Sequence, residues 1–255
     1  MKTLTRYGTL GLLITMAACN SESTGPGLTP IADLAITRDV AAQSADATAE
    51  DVELMGGPTG QLGFGFAAGA GAEDDAPFRC GTHTRDRLTI VRTCTFKDAA
   101  GATQSNYNPL TTASAAIHAE INGKVERENW SAEVERVRDL IVTGLAGVET
   151  SRTWNGTGTG KSTRSKHTEN GENRSYDVSC SSTRTNVVVN LPRTENRWPV
   201  SGTISRNCTI KITGGPNDGK TVERAVVITF NGTQLVPITV NGKAFTLDLK
   251  TRKIV

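Results

Sequence analysis

No stretch of this 255-residue chain approaches the roughly 20 consecutive apolar residues that a bilayer-spanning helix requires, so a retained transmembrane helix is not expected. Charge of either sign is not in excess: 28 Lys and Arg stand against 26 Asp and Glu, a formal net charge of +2. That balance does not indicate a strongly basic nucleic-acid binder, and no nucleic-acid partner is expected. No Cys-x-x-Cys pair occurs, and His83, His118 and His167 share no zinc-site spacing with one another or with a cysteine. A metal centre is therefore disfavoured, and each His reads as a surface residue. A Gly-x-Ser-x-Gly nucleophile elbow is also missing. What is present suffices for a core: 36% hydrophobic residues, with 26 Gly besides, excludes wholesale disorder.

The N-terminus carries the most specific signal. Residues 1–19 read MKTLTRYGTLGLLITMAAC, with Lys2 and Arg6 ahead of an apolar run from Leu10 to Met16 and small residues before Cys19. This is the layout of a secretory signal. The ending Met16-Ala17-Ala18-Cys19 resembles the lipobox of bacterial lipoproteins, with Met16 where Leu is usual. The resemblance implies that residues 1–18 are a signal peptide and that Cys19 is lipid-modified and becomes the first mature residue. It further implies a bacterial cell-envelope protein joined to a membrane through that anchor. Asn20, not Asp, follows the cysteine. By resemblance to lipoprotein sorting in enteric bacteria, this leans to the outer membrane.

Removing Cys19 leaves Cys80, Cys94, Cys180 and Cys208, an even set suited to two disulfides in an oxidising compartment. Strand register supplies the pairing. A hairpin turning around Arg193-Thr194-Glu195-Asn196 sets Cys180 opposite Cys208, Tyr176 opposite Ile212 and Val178 opposite Ile210 on one face, with Asp177 opposite Lys211 on the other. A second hairpin turning near Arg87 sets Cys80 opposite Cys94 and Phe78 opposite Phe96.

Organisation follows from composition. Residues 20–30 are small and polar, as in a flexible tether. A weak, Ala-rich helix signal covers about residues 37–55, with Ala41, Ala45, Ala49 and Val52 on one face. Residues 56–71 hold seven Gly and read as linker. The arm, residues 19–77, carries ten acids against Arg38 alone, a net of −9, whereas residues 78–255 carry 25 bases against 16 acids, a net of +9. Three readings of this split are open: docking of arm on body, attraction of the body to anionic lipid or polysaccharide, or solubility alone.

From residue 77 onward Thr is abundant, Leu is sparse, and Asn-Gly recurs at Asn122-Gly123, Asn155-Gly156, Asn170-Gly171, Asn231-Gly232 and Asn241-Gly242, each a candidate type I′ hairpin turn. Residues 131–143 read as a strand, although Val134, Val137 and Ile141 could share a helical face. Near the C-terminus Val226, Ile228 and Phe230 can pair with Val240, Ile238 and Val236, and Ile238 with Phe245 across Asn241-Gly242. The expected fold is all-β: an antiparallel up-and-down meander of about ten strands over residues 77–255, curled as a half-barrel or folded as a sandwich.

No cofactor is expected. Asn155-Gly-Thr-Gly-Thr-Gly160-Lys161-Ser162 nearly spells a phosphate-binding loop, but Asn155 replaces its first Gly and no amphipathic helix follows. Gly63-x-Gly65-x-x-Ala68 lacks the strand and ribose-binding acid of a dinucleotide site. The carboxylate pairs Glu126/Glu128 and Glu133/Glu135 read as solvated strand positions, and Trp130, Trp154 and Trp198 as packing, with a sugar-stacking surface the alternative. The leading expectation is a non-catalytic envelope lipoprotein that binds or scaffolds an anionic lipid, a polysaccharide or a protein through its basic body. A periplasmic carrier of lipid or acyl chains is second. An envelope hydrolase is third.

Overall fold

A computed structural model describes residues 28–55, 80–85, 87–127, 130–166, 174–192 and 197–255. One helix, α1 (Pro30–Met55), precedes twelve strands. These are β1 (Gly81–Arg85), β2 (Leu88–Asp98), β3 (Thr103–Gln104), β4 (Thr112–Arg127), β5 (Trp130–Thr143) and β6 (Ser151–Lys166). The series continues with β7 (Arg174–Asn190), β8 (Ser201–Thr213), β9 (Thr221–Thr229), β10 (Leu235–Val240), β11 (Lys243–Asp248) and β12 (Lys253–Ile254). All strands join one open antiparallel sheet in the order β1-β2-β4-β5-β6-β7-β8-β9-β10-β11-β12, with β3 on β2. The all-β meander expected from the sequence is thus observed, with the short β3 and β12 beyond the expected ten. Residues 131–143 lie in β5, as expected.

Strict alternation builds the core. On β5 the burial follows Ala132, Val134, Arg136, Arg138, Leu140 and Val142, and on β9 Val222, Arg224, Val226 and Ile228, while the intervening residues face out. The inner face of the sheet is buried against α1. Thr29 caps the helix, its Oγ1 accepting the Ala32 N–H at 3.3 Å, and Pro30 takes the first helical position. The helix therefore begins before the expected residue 37. The polar run that reads as tether already contains a cap and a helix-compatible proline.

Register settles the cysteines. In β7 and β8 Cys180 pairs with Cys208, Tyr176 with Ile212, Val178 with Ile210 and Asp177 with Lys211, as the sequence implied. The Cys180–Cys208 disulfide joins Cα atoms 4.1 Å apart. The second disulfide, Cys80–Cys94, is also present, with Cα atoms 5.9 Å apart. Its expected register is one residue out: Arg85 pairs with Leu88, so the turn holds two residues, and Gly81 pairs with Arg92. Cys80 precedes β1 and reaches Cys94 diagonally; Phe78 lies outside the described residues.

The Asn-Gly pairs divide. Asn241-Gly242 is the two-residue turn between β10 and β11, with φ of 47° and 78°, and Val226 and Ile238 pair as expected with Val240 and Phe245. Asn122-Gly123 and Asn155-Gly156 are not turns; they lie within β4 and β6. A Cβ at Gly123 would stand 1.9 Å from the Arg87 carbonyl oxygen, and Gly156 follows an irregularity in the β6–β7 register. Asn231-Gly232 lies in the loop between β9 and β10, and Asn170-Gly171 lies outside the described residues.

Candidate functional site

The inner face of the sheet is not purely apolar. Arg136 and Arg138 on β5, Arg164 on β6, Arg184 on β7, Arg206 on β8 and Arg224 on β9 all point inward, in phase with aliphatic neighbours, and all are buried. Helix α1 crosses these strands. Asp33 pairs with Arg224 of β9, whereas Leu54 packs with Ile90 of β2 and with Ala119 and Ile121 of β4. The 21 residues between them rise about 31 Å. The seven strands from β9 to β2 span about 29 Å, so the helix is long enough to reach from one side of this group to the other.

Its carboxylates meet the inward arginines and Tyr176. The Asp33 carboxylate accepts from Arg224 at 2.5 Å. Asp39 accepts from the Tyr176 hydroxyl at 2.8 Å through its side chain and from Arg164 at 2.9 Å through its carbonyl. Glu50 pairs with Arg136. Asp51 is the hub: Arg138 Nε donates to Oδ1 at 2.7 Å, Arg184 Nη2 to both oxygens at 2.7 and 2.8 Å, and Arg206 Nη2 to Oδ2 at 2.8 Å. Arg206 also donates to Thr48 Oγ1 at 2.8 Å. Every residue from Ser44 to Val52 is buried, so two and a half turns are enclosed on all sides. An acidic helix can be buried this way only because each charge has a partner.

Burial pushes the Asp51 carboxyl upward, but Arg138, Arg184 and Arg206 override it and hold the group well below the usual carboxylate range. Burial likewise lowers the Arg206 guanidinium to about 10; Asp51 opposes that shift, and Arg184, Arg138 and Arg136 add to it. Tyr176 is pushed up by burial and by Asp39, which keeps its hydroxyl a donor.

The near phosphate-loop sequence has a structural role here. Gly156, Gly158 and Gly160 share the inner face of β6, and Arg138 pairs with Gly158 and Arg136 with Gly160. A Cβ at Gly158 would lie 2.9 Å from Arg138 Cδ. Without it, Arg138 extends over β6 and Nη1 donates to the Thr159 carbonyl at 2.9 Å.

The other residues marked in the sequence do not converge. Trp154 is core, Trp130 lies beneath Arg164 with the guanidinium carbon 4.2 Å from the ring centre, and Trp198 packs at the core margin. No shared stacking surface results. Glu133 pairs with Lys124 at 2.9 Å and Glu126 with Arg87, each exposed. His118 lies on the outer face, hydrogen-bonded to Asp139 at 2.7 Å, and this bond and a second to Glu120 raise its pKa. Among the described residues no group of three or more His, Cys, Asp or Glu could hold a metal ion. Cys19, Gly63, Gly65, Ala68, Glu128 and His167 lie outside the described residues.

The arginine row was the feature that sequence reading missed. Its signal was available: in Val134-x-Arg136-x-Arg138-x-Leu140 and Ile204-x-Arg206-x-Cys208-x-Ile210 the Arg falls on the apolar parity. The charge split between arm and body is, over residues 30–55, an intramolecular docking. Those six arginines and Arg152 are buried, so seven of the 25 bases of residues 78–255 face inward. Comparison with models of protein families, with curated proteins and with solved structures finds no match.

Proposed function

We propose that this chain is a lipid-anchored, non-catalytic envelope protein whose β-domain binds or scaffolds another envelope component through its outer surface. The observation that carries this reading is the occupancy of the inner face of the sheet by α1, from Asp33 on β9 to Leu54 on β2 and β4. A carrier of acyl chains needs that face as an apolar cavity; here it bears six arginines engaged with the chain's own helix. The lipobox-like Met16-Ala17-Ala18-Cys19 supports the anchor, and the two disulfides suit an oxidising compartment. With the body's excess positive charge turned inward, a protein or polysaccharide partner fits better than an anionic lipid surface.

The test is isolation of the mature protein from solubilised envelope, followed by mass spectrometry of co-purifying protein, glycan and lipid. A stoichiometric protein or glycan is expected. A stoichiometric fatty acyl lipid, other than that on Cys19, would move the assignment to the carrier.

A further inference from the structure

Between α1 and strands β5 to β8, above Gly160, lies a partly open cavity of about 40 Å³. Arg136, Arg138, Arg206, Ser162, Ser182 and Gln43 wall it. The three guanidinium side chains are only 7%, 3% and 4% exposed. Positive charge exceeds negative around it. Arg138, Arg184 and Arg206 share the one carboxylate of Asp51, and Arg136 has Glu50. Among the described side chains, and setting aside the Arg152–Glu149 pair, six inward arginines meet the five α1 carboxylates Asp33, Asp39, Asp46, Glu50 and Asp51. Surplus buried charge is costly unless something neutralises it. A cavity needs about 10–15 Å³ to hold a water. At about 40 Å³ this one has room for a monatomic anion with a water or two beside it, and its walls supply guanidinium N–H groups and hydroxyls that can turn to donate.

We infer that this cavity is a binding site for a small inorganic anion of chloride size, held by Arg136, Arg138 and Arg206, which fastens α1 to the sheet. The helix side of the cavity includes Ala47, and the sheet side Gly160. Both offer clean tests. Ala47→Asp places a fixed carboxylate where the ion would sit. Gly160→Ala shrinks the site at little risk, since the new Cβ would meet Arg136 Cγ at 3.5 Å, ordinary contact.

Thermal unfolding of the detergent-solubilised mature protein would be followed in sodium chloride and in sodium gluconate at equal ionic strength. With chloride tenfold above its dissociation constant, the wild-type midpoint should rise by roughly 3 °C over gluconate. Ala47→Asp should abolish that difference and Gly160→Ala should reduce it. Crystals grown in bromide should show an anomalous peak among Arg136, Arg138 and Arg206. The proposal requires both results. A bromide-free cavity, or a chloride response equal in wild type and both variants, overturns it in favour of water alone.

Discussion

Arg184 and Asp51, separated by 133 residues, meet in the interior with both carboxylate oxygens accepting from one guanidinium nitrogen, at 2.7 and 2.8 Å, and side-chain exposures of 0% and 1%. Two further arginines converge on the same carboxylate. Replacing Asp51 by Asn strands three buried cations at once, and removing one partner of a single buried pair already costs about 3–5 kcal/mol. Urea unfolding of Asp51→Asn should show a loss of at least that size. A loss below about 1 kcal/mol would mean the helix is not held through Asp51.

Acid should release the same contact. The Asp51 pKa is depressed on folding by Arg138, Arg184 and Arg206 despite its burial. A depressed carboxyl contributes stability in full above its unfolded value, near 4, and loses it progressively as pH falls below about 5 toward the folded value. The stability of wild type should therefore decline steadily below about pH 5. Asp51→Asn should lack most of that slope, measured as unfolding midpoints across pH 2–7.

Two glycines one row apart on β6 should respond differently to the same substitution. At Gly158 an added Cβ meets the Val137 carbonyl oxygen at 2.5 Å and Arg138 Cδ at 2.9 Å; at Gly160 its nearest neighbour is 3.5 Å away. Gly158→Ala should cost about 1–3 kcal/mol, as overpacking does, and Gly160→Ala much less. Equal effects on the denaturant midpoint would show that Arg138 does not lie across β6.

Non-reducing peptide mapping should recover Cys80 linked to Cys94 and Cys180 linked to Cys208. The loops they close span 14 and 28 residues, for which chain entropy assigns roughly 3 and 3.6 kcal/mol. The pair Cys180→Ser with Cys208→Ser should accordingly destabilise the protein at least as much as the pair Cys80→Ser with Cys94→Ser.

The proposed anchor has its own check. Cys19→Ala should move the protein from the membrane pellet to the soluble fraction after a high-salt wash. Retention in the pellet would remove lipid attachment from the account.

Where two independent constraints agreed, the sequence was readable. Around Cys180 and Cys208 the position of the turn and the parity of Tyr176, Val178, Ile210 and Ile212 demand one register, and that register is found. Around Cys80 the reading rested on a turn near Arg87 with Phe78 opposite Phe96, and a turn of two residues shifts the ladder by one. Asn122-Gly123 misleads because glycine serves close backbone approach within a strand as well as turns. The site was hidden for a different reason. Asp39, Asp46, Glu50 and Asp51 make α1 look solvated, and Arg206 or Arg224 makes a strand look half polar; each pattern is intelligible only beside the other.

The docking of α1 on strands that lie far later in the chain also orders events in its life. Asp33 leaves the ribosome, or a membrane pore, long before Arg224, its partner 191 residues later. Until β9 has followed, the helix carries carboxylates whose counter-charges do not yet exist in space, and few local contacts can hold it. Closure of the interior is therefore a late event, possible only when most of the polypeptide has emerged. Nascent chains truncated before residue 206 should remain sensitive to protease within residues 30–55, and full-length chains should not.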